Sequence, residues 1–118
     1  MFKIIFIFFS AILLNVKSCD STKNSFLYHK IQELKDQEVY NPPASVWEWT
    51  YRDTVYYYVT ADCCDQFSDL YTKDGELICH PDGGFTGRGD GKCPFDLRSN
   101  DTLDLKRKLI WKDDRRAD

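Results

Sequence analysis

The sequence predicts an α+β fold: one N-terminal amphipathic helix packed on a curled antiparallel sheet of about four to five strands, stapled by two disulfides. Three observations predict it. Apolar residues recur at helical spacing near residue 30, and alternating stretches separated by turn signals follow to the end of the chain. The same downstream part carries four of the five cysteines, which are Cys63, Cys64, Cys79 and Cys93.

The predicted helix runs from about Ser25 to Glu38. Its apolar residues fall on one face, with charged residues between them. These apolar residues are Phe26, Leu27, Ile31 and Leu34. Pro42 and Pro43 follow, and because proline cannot continue a helical hydrogen-bond ladder, the helix is expected to end before them.

The strands are predicted in three places. Residues 45–61 alternate in an aromatic-rich pattern around Arg52-Asp53, which indicates a hairpin. Asp74-Gly75 is a strong turn signal for a second hairpin. Residues 105–111 alternate again and predict a closing strand. Between the second hairpin and that strand, the glycine-rich stretch after residue 79 holds five of the six glycines and predicts a loop.

The first residues have the features of a secretory signal peptide. Lys3 is followed by an uncharged apolar run over residues 4–14, which is too short to span a bilayer comfortably. Ser18 directly before Cys19 resembles the lipobox of bacterial lipoproteins, although Lys17 departs from that pattern. We therefore expect residues 1–18 to be a signal peptide, 19–24 a tether lipidated at Cys19, and 25–118 a single domain. An ordinary signal peptide cut nearby is the alternative.

The predicted location is the bacterial cell envelope, on the periplasmic or outer-membrane face, with the membrane reached through the lipid. The formal charge of the whole chain is −3, and loss of Lys3 and Lys17 with the signal peptide makes it −5. An acidic domain lacks the basic surface that nucleic-acid binding requires, so no nucleic-acid partner is expected. No cofactor is expected either.

The four downstream cysteines are predicted to form disulfides. They lack the Cys-x-x-Cys spacing of a catalytic dithiol and the paired spacing of a zinc site. A direct Cys63–Cys64 bond is not expected, because it would close a strained ring. This leaves Cys63–Cys79 with Cys64–Cys93, or Cys63–Cys93 with Cys64–Cys79.

A family resemblance rests on several motifs in this part of the chain: VYY, CCDQ, LY with a following Asp-Gly turn, IC-x-PDGG, TG-x-GDGKCP and a closing IWKD strand. Over about residues 44–115 the chain resembles small exported proteins and lipoproteins, mainly of Bacteroidetes-type bacteria, that carry a domain of unknown function. The resemblance implies export and a shared fold. It implies no catalytic residues.

The glycine-rich loop is the candidate contact element, with Gly83, Gly84, Arg88 and Asp90 as its binding residues. Asp82 and Asp90 are weak candidates for calcium, since no EF-hand spacing is present. The histidines, His29 and His80, lack the partners of a catalytic triad, and no catalytic residue is assigned. The predicted function is a disulfide-stabilised binding module. The alternatives are a protease-inhibitor-like protein or an envelope enzyme that uses the loop.

Overall fold

The computed structural model describes residues 25–116 and confirms the predicted fold class, with one helix and a five-stranded antiparallel sheet. The predicted signal peptide, tether and Cys19 lie outside these residues. The elements are α1 (Ser25–Asp36), β1 (Ser45–Tyr51), β2 (Thr54–Val59), β3 (Asp69–Thr72), β4 (Leu77–Cys79), a 3₁₀ turn (Asn100–Asp104) and β5 (Leu105–Lys112). The strand order is β4-β3-β2-β1-β5. Within the described residues, no helix has the length and apolar character needed to cross a membrane.

Helix α1 packs on one face of the sheet, which we call the helix face. Leu27 and Leu34 are the buried helix residues, and Phe26 and Ile31 pack beside them. Because side chains alternate along a strand, every second residue of β1 and β2 points to this face. The sheet residues buried there are Val46, Tyr57, Val59 and Tyr71. The helical spacing in the sequence therefore identified the buried side of α1 correctly.

The β1–β2 hairpin turns at Arg52 and Asp53, which both have positive φ angles of 46° and 65°. Two residues in the left-handed region form the turn that matches the twist of antiparallel strands. Strand β5 then pairs with the other edge of β1, from Leu105 opposite Tyr51 to Lys112 opposite Ser45. The chain thus places its last strand beside its first.

The second hairpin turns at Gly75, where φ is +92°. A Cβ at this position would overlap the ring of Phe26 on α1. Glycine is therefore required twice here, once for the backbone angle and once for the approach of the helix. The contact ties the β3–β4 hairpin to helix α1.

The opposite face of the sheet, called the loop face, is covered by the chain that follows the glycine-rich loop. Phe95 is buried there, with ring centroids 5.9 Å from Trp49 and 5.1 Å from Tyr51. Leu97 and Cys93 are partly buried against the same cluster. Each face of the sheet therefore has its own apolar cluster, which is how so short a chain buries its many aromatic residues.

The disulfides pair differently from both arrangements that the sequence left open. Cys79 bonds Cys93, and Cys63 bonds its neighbour Cys64. In extended chain the side chains of adjacent residues point to opposite faces, but Cys64 has a φ of 57° and lies in a turn. The Gln66 N–H closes that turn on the carbonyl of Cys63 at 3.0 Å, which brings both sulfurs to one side. The prediction of two disulfides is confirmed, and both predicted pairings are wrong.

Candidate functional site

The glycine-rich loop, defined as residues 80–92, is closed at its base by the Cys79–Cys93 disulfide. Three backbone hydrogen bonds of 2.9–3.1 Å cross it. They join Gly87 N–H to Gly84 O, Gly89 N–H to Gly83 O, and Asp90 N–H to His80 O. Because its backbone groups bind one another, the loop has one ordered conformation despite its glycine content.

The loop also packs directly on the segment that leads into β3. The Ser68 N–H donates to Asp82 O at 3.2 Å, and the backbone of Gly83 lies so close to Gln66 O that a Cβ would overlap it. Gly83 has a φ of +84°, in the region that glycine favours. Two of the predicted binding residues, Gly83 and Gly84, therefore shape the loop and carry no side chain to a partner.

The tip of the loop presents an aromatic ring to solvent. Phe85 is 97% exposed, the largest exposed fraction among the large apolar side chains described. It is the first residue inside the turn that the Gly87 N–H closes on Gly84 O. Phe67, which is 44% exposed, lies beneath the tip against Gly84. Two aromatic side chains therefore lie at the surface here, Phe85 on the loop and Phe67 before β3, and the described chain leaves Phe85 uncovered.

The charged loop candidates have separate roles. Asp90 accepts the Lys92 N–H at 2.9 Å, which is the local turn that aspartate commonly makes. Asp82 accepts the hydroxyl hydrogen of Tyr58 at 2.7 Å, so it binds a side chain and not a loop amide. Arg88 is exposed. Among residues 25–116 no group of three or more His, Cys, Asp or Glu side chains could hold a metal ion.

His80 is held in one orientation at the start of the loop. Its Nδ1 lies 2.9 Å from Asp69 Oδ1 and 3.0 Å from Ser68 O, and the ring stacks on Phe67 with centroids 4.9 Å apart. The hydroxyl of Ser68 is buried and bonded to Tyr58, so it is not a nucleophile for this pair. The His80–Asp69 contact therefore orients the loop. His29 lies exposed on α1, with its ring edge against Tyr28.

A second surface feature is a groove on the loop face, between β1 and the loop. Trp49 and Tyr58 stack there with centroids 4.3 Å apart and planes within 9°, and the guanidinium of Arg107 lies 5.0 Å from the Trp49 ring centre. Burial raises the pKa of Tyr58 well above its ordinary value, and its hydrogen bond to Asp82 acts in the same direction. Tyr58 is therefore a neutral hydrogen-bond donor at any physiological pH.

Sequence reasoning singled out the glycine-rich loop, and its role in contacts stays a prediction; that reasoning drew attention neither to Phe85 nor to the groove. For Phe85 a signal exists, because an aromatic residue between Gly84 and Gly87 has few neighbours to bury it. The meeting of Asp82, Tyr58 and Arg107 has no such signal. It depends on β5 lying beside β1 and on the loop folding back over β2, and neither pairing can be derived from local patterns.

The comparison with family models matches residues 32–113 to a domain of unknown function, DUF6970. This covers most of the chain, and the protein belongs to that family. Neither the curated proteins nor the solved structures gave a match. The expected membership of an uncharacterised domain family is confirmed, while the bacterial group and the motif signature stay predictions.

Proposed function

We propose that this protein is an exported, lipid-anchored binding protein of the bacterial envelope, which contacts a protein partner through the tip of the glycine-rich loop. The observation that carries the proposal is Phe85, an aromatic side chain 97% exposed on an ordered loop. Aromatic side chains, phenylalanine among them, are enriched at protein–protein interfaces relative to the rest of the surface.

The order of the loop supports this role in energetic terms. A flexible segment loses conformational entropy when a partner fixes it, and that loss weakens binding. Here the disulfide at Cys79–Cys93 and the crossing hydrogen bonds have already fixed the backbone. Most of the free energy gained by burying Phe85 in a partner would therefore contribute to the affinity. Arg88, exposed on the same loop, favours a partner whose apolar cleft has an acidic rim.

The anchor is supported by the sequence features around Cys19, which precede the first residue matched by the family model. Several acyl chains on one cysteine would hold the protein at a membrane, since each buried CH₂ contributes about 0.8 kcal/mol. Cys19→Ala is expected to move the protein from the membrane to the soluble fraction. Unchanged partitioning would contradict the lipoprotein part of the proposal and leave the loop untouched.

The test of the loop compares two exposed apolar residues. Partners are crosslinked and purified from envelope extracts with the wild type, Phe85→Ser and Leu103→Ser, and the captured protein is then titrated in purified form. Leu103 is 83% exposed outside the loop and is the matched control. We expect Phe85→Ser to weaken binding at least about tenfold and Leu103→Ser to have no effect. Equal binding by all three proteins would refute the loop as the contact.

Protease inhibition is the second candidate, because Phe85 on a disulfide-closed loop resembles a bound substrate residue for a protease that cleaves after aromatics. An inhibitor would slow a chymotrypsin-like protease at stoichiometric concentrations and keep its Phe85–Thr86 bond intact for hours. Rapid cleavage at that bond without inhibition would exclude this candidate. For the enzyme alternative, the His80–Asp69 pair is the nearest candidate among residues 25–116, and the Ser68 hydroxyl beside it is buried and bonded to Tyr58.

A further inference from the structure

The groove on the loop face is a separate cavity of about 380 Å³ with unusual lining. It lies where β1 begins and β2 ends, on the side of the sheet away from α1. Its size falls near the lower end of the ~300–1,000 Å³ range of small-molecule sites. The lining residues that matter here are Ser45, Trp47, Trp49, Tyr58, Asp82 and Arg107.

The aromatic residues of the groove already use most of their polar atoms within the protein. The indole N–H of Trp47 donates to Ser45 Oγ at 2.8 Å, and the Tyr58 hydroxyl donates to Asp82 Oδ2 at 2.7 Å. These bonds hold the rings in place. Trp47 therefore offers a ligand its apolar ring surface. Of the two groove tryptophans, Trp47 is partly exposed and Trp49 is buried.

The groups left for polar contact are a carboxylate and a guanidinium. Asp82 uses one oxygen for Tyr58, and no hydrogen bond within the described chain uses the other. Arg107 lies over Trp49 and has no carboxylate within ion-pair distance among residues 25–116. A guanidinium presents several N–H donors in a plane, while a carboxylate accepts hydrogen bonds from hydroxyls.

One further polar atom is unsatisfied. The indole N–H of Trp49 is buried and has no hydrogen-bond partner in the described structure, although Trp49 is only 4% exposed. Buried donors without an acceptor are uncommon, and a bound molecule or water commonly supplies the missing oxygen. Trp49 is also one of the residues that line the groove.

From this combination we infer that the groove is a binding site for a neutral carbohydrate. A sugar ring has an apolar C–H face for Trp47 and hydroxyls that both donate to Asp82 and accept from Arg107. A purely apolar ligand would leave that carboxylate and guanidinium without partners, which is unfavourable. A phosphate or uronate would meet the negative charge of Asp82. The site is independent of Phe85 and of the proposed protein contact.

The test titrates neutral sugars against the purified full chain by ligand-observed NMR. The probes are glucose, galactose, mannose, N-acetylglucosamine and their short oligomers, with glucuronic acid and glucose 6-phosphate as charged comparators. We expect at least one neutral probe to bind with a Kd of about 1 mM or tighter. Binding of oligomers but not of single sugars also supports the inference, and it assigns the site to a glycan chain and not to free sugar.

Three variants tie the signal to the groove. Trp47→Ala and Arg107→Lys should each weaken binding at least about tenfold, because one loses the apolar platform and the other the planar donors. Trp111→Phe is the control, since Trp111 packs against the cluster on the helix face. If Trp47→Ala does not fold, the exposed Arg107→Lys decides. Lack of saturation by every neutral probe, a preference for charged sugars, or unchanged binding in Arg107→Lys would overturn the inference.

Discussion

The guanidinium of Arg115 binds the carboxylate of Asp113 at 2.7 Å and at the same time caps the C-terminus of α1. Its other N–H groups donate to three backbone carbonyls at 2.9–3.2 Å. Those carbonyls belong to Leu34, Lys35 and Gln37. The last carbonyls of a helix have no partner within the helix, so a cation placed there is stabilising. Arg115, which lies three residues after the end of β5, thus ties the segment that follows the sheet to the helix.

Replacing this residue is expected to destabilise the fold. Arg115→Ala removes the cap and leaves Asp113, which is 4% exposed, without its cation. We expect the melting temperature to fall by at least about 5 °C. Thermal unfolding followed by circular dichroism measures it, with Arg116→Ala, at an exposed neighbouring position, as the control. Equal melting temperatures for the two variants would show that the cap contributes nothing.

The same contact predicts a pH dependence. The hydrogen bonds from Arg115 hold the pKa of the Asp113 carboxyl below its ordinary value of 3.8. The unfolded chain therefore binds the proton more readily, so this contribution is fully present above the ordinary pKa and is lost as pH falls through the lower folded pKa. Denaturant unfolding of wild type and Asp113→Asn from pH 7 to pH 2 should show their difference shrinking below about pH 4. A constant difference over that range would contradict the prediction.

The two disulfides are expected to contribute unequally to stability. Cys79 and Cys93 are 14 residues apart, and a crosslink over a loop of that length stabilises by about 3 kcal/mol because it restricts the unfolded chain. Cys63 and Cys64 are neighbours, so their bond closes no comparable loop. In urea unfolding, Cys79→Ser/Cys93→Ser should lose about 2–3 kcal/mol. The matched Cys63→Ser/Cys64→Ser variant should lose clearly less free energy of unfolding. A larger loss in that variant than in Cys79→Ser/Cys93→Ser would contradict the prediction.

A labelling experiment tests the cysteine state itself. If all four downstream cysteines are oxidised as the structure pairs them, maleimide should add nothing to Cys63, Cys64, Cys79 or Cys93 in the denatured, unreduced protein. After reduction, each should be labelled. Peptide mass spectrometry locates the adducts. Stoichiometric label on any of these four before reduction would contradict the pairing.

The elements were predictable because each depends on neighbours in the chain. The helical spacing of Leu27 and Leu34, and the turn at Asp74-Gly75, act within a few residues, so a local pattern reveals them. Helix α1 ends at Asp36, two residues before the predicted Glu38, which is the usual uncertainty at a helix end. The fold class followed directly from the order of these elements.

The pairings were not predictable for the opposite reason. The Cys63–Cys64 bond depends on the positive φ of Cys64, which no residue preference indicates for cysteine. The groove depends on Arg107 of β5 reaching Trp49 of β1, residues that lie far apart in sequence. Contacts of this range are set by tertiary packing and not by local preference.

Two loop glycines with similar backbone angles differ in what surrounds them. Gly83 and Gly91 have φ angles of +84° and +70°, so alanine is strained by the backbone at both. At Gly83 a Cβ would also overlap the carbonyl oxygen of Gln66, whereas a Cβ at Gly91 would have no atom within 4 Å beyond those of its two chain neighbours. The pair therefore separates the effect of the backbone angle from that of the close approach.

We expect Gly83→Ala to release the loop from the segment before β3, while Gly91→Ala costs only the backbone term of about 1 kcal/mol. In Gly83→Ala the overlap must move the chain near Gln66, which puts the bond from Ser68 N–H to Asp82 O at risk. Amide hydrogen exchange of Gly87, Gly89 and Asp90 reports whether the crossing hydrogen bonds survive. Their protection should fall in Gly83→Ala and persist in Gly91→Ala. Equal exchange in both variants would mean that the loop is ordered by its own hydrogen bonds and the disulfide, without the contact to Gln66.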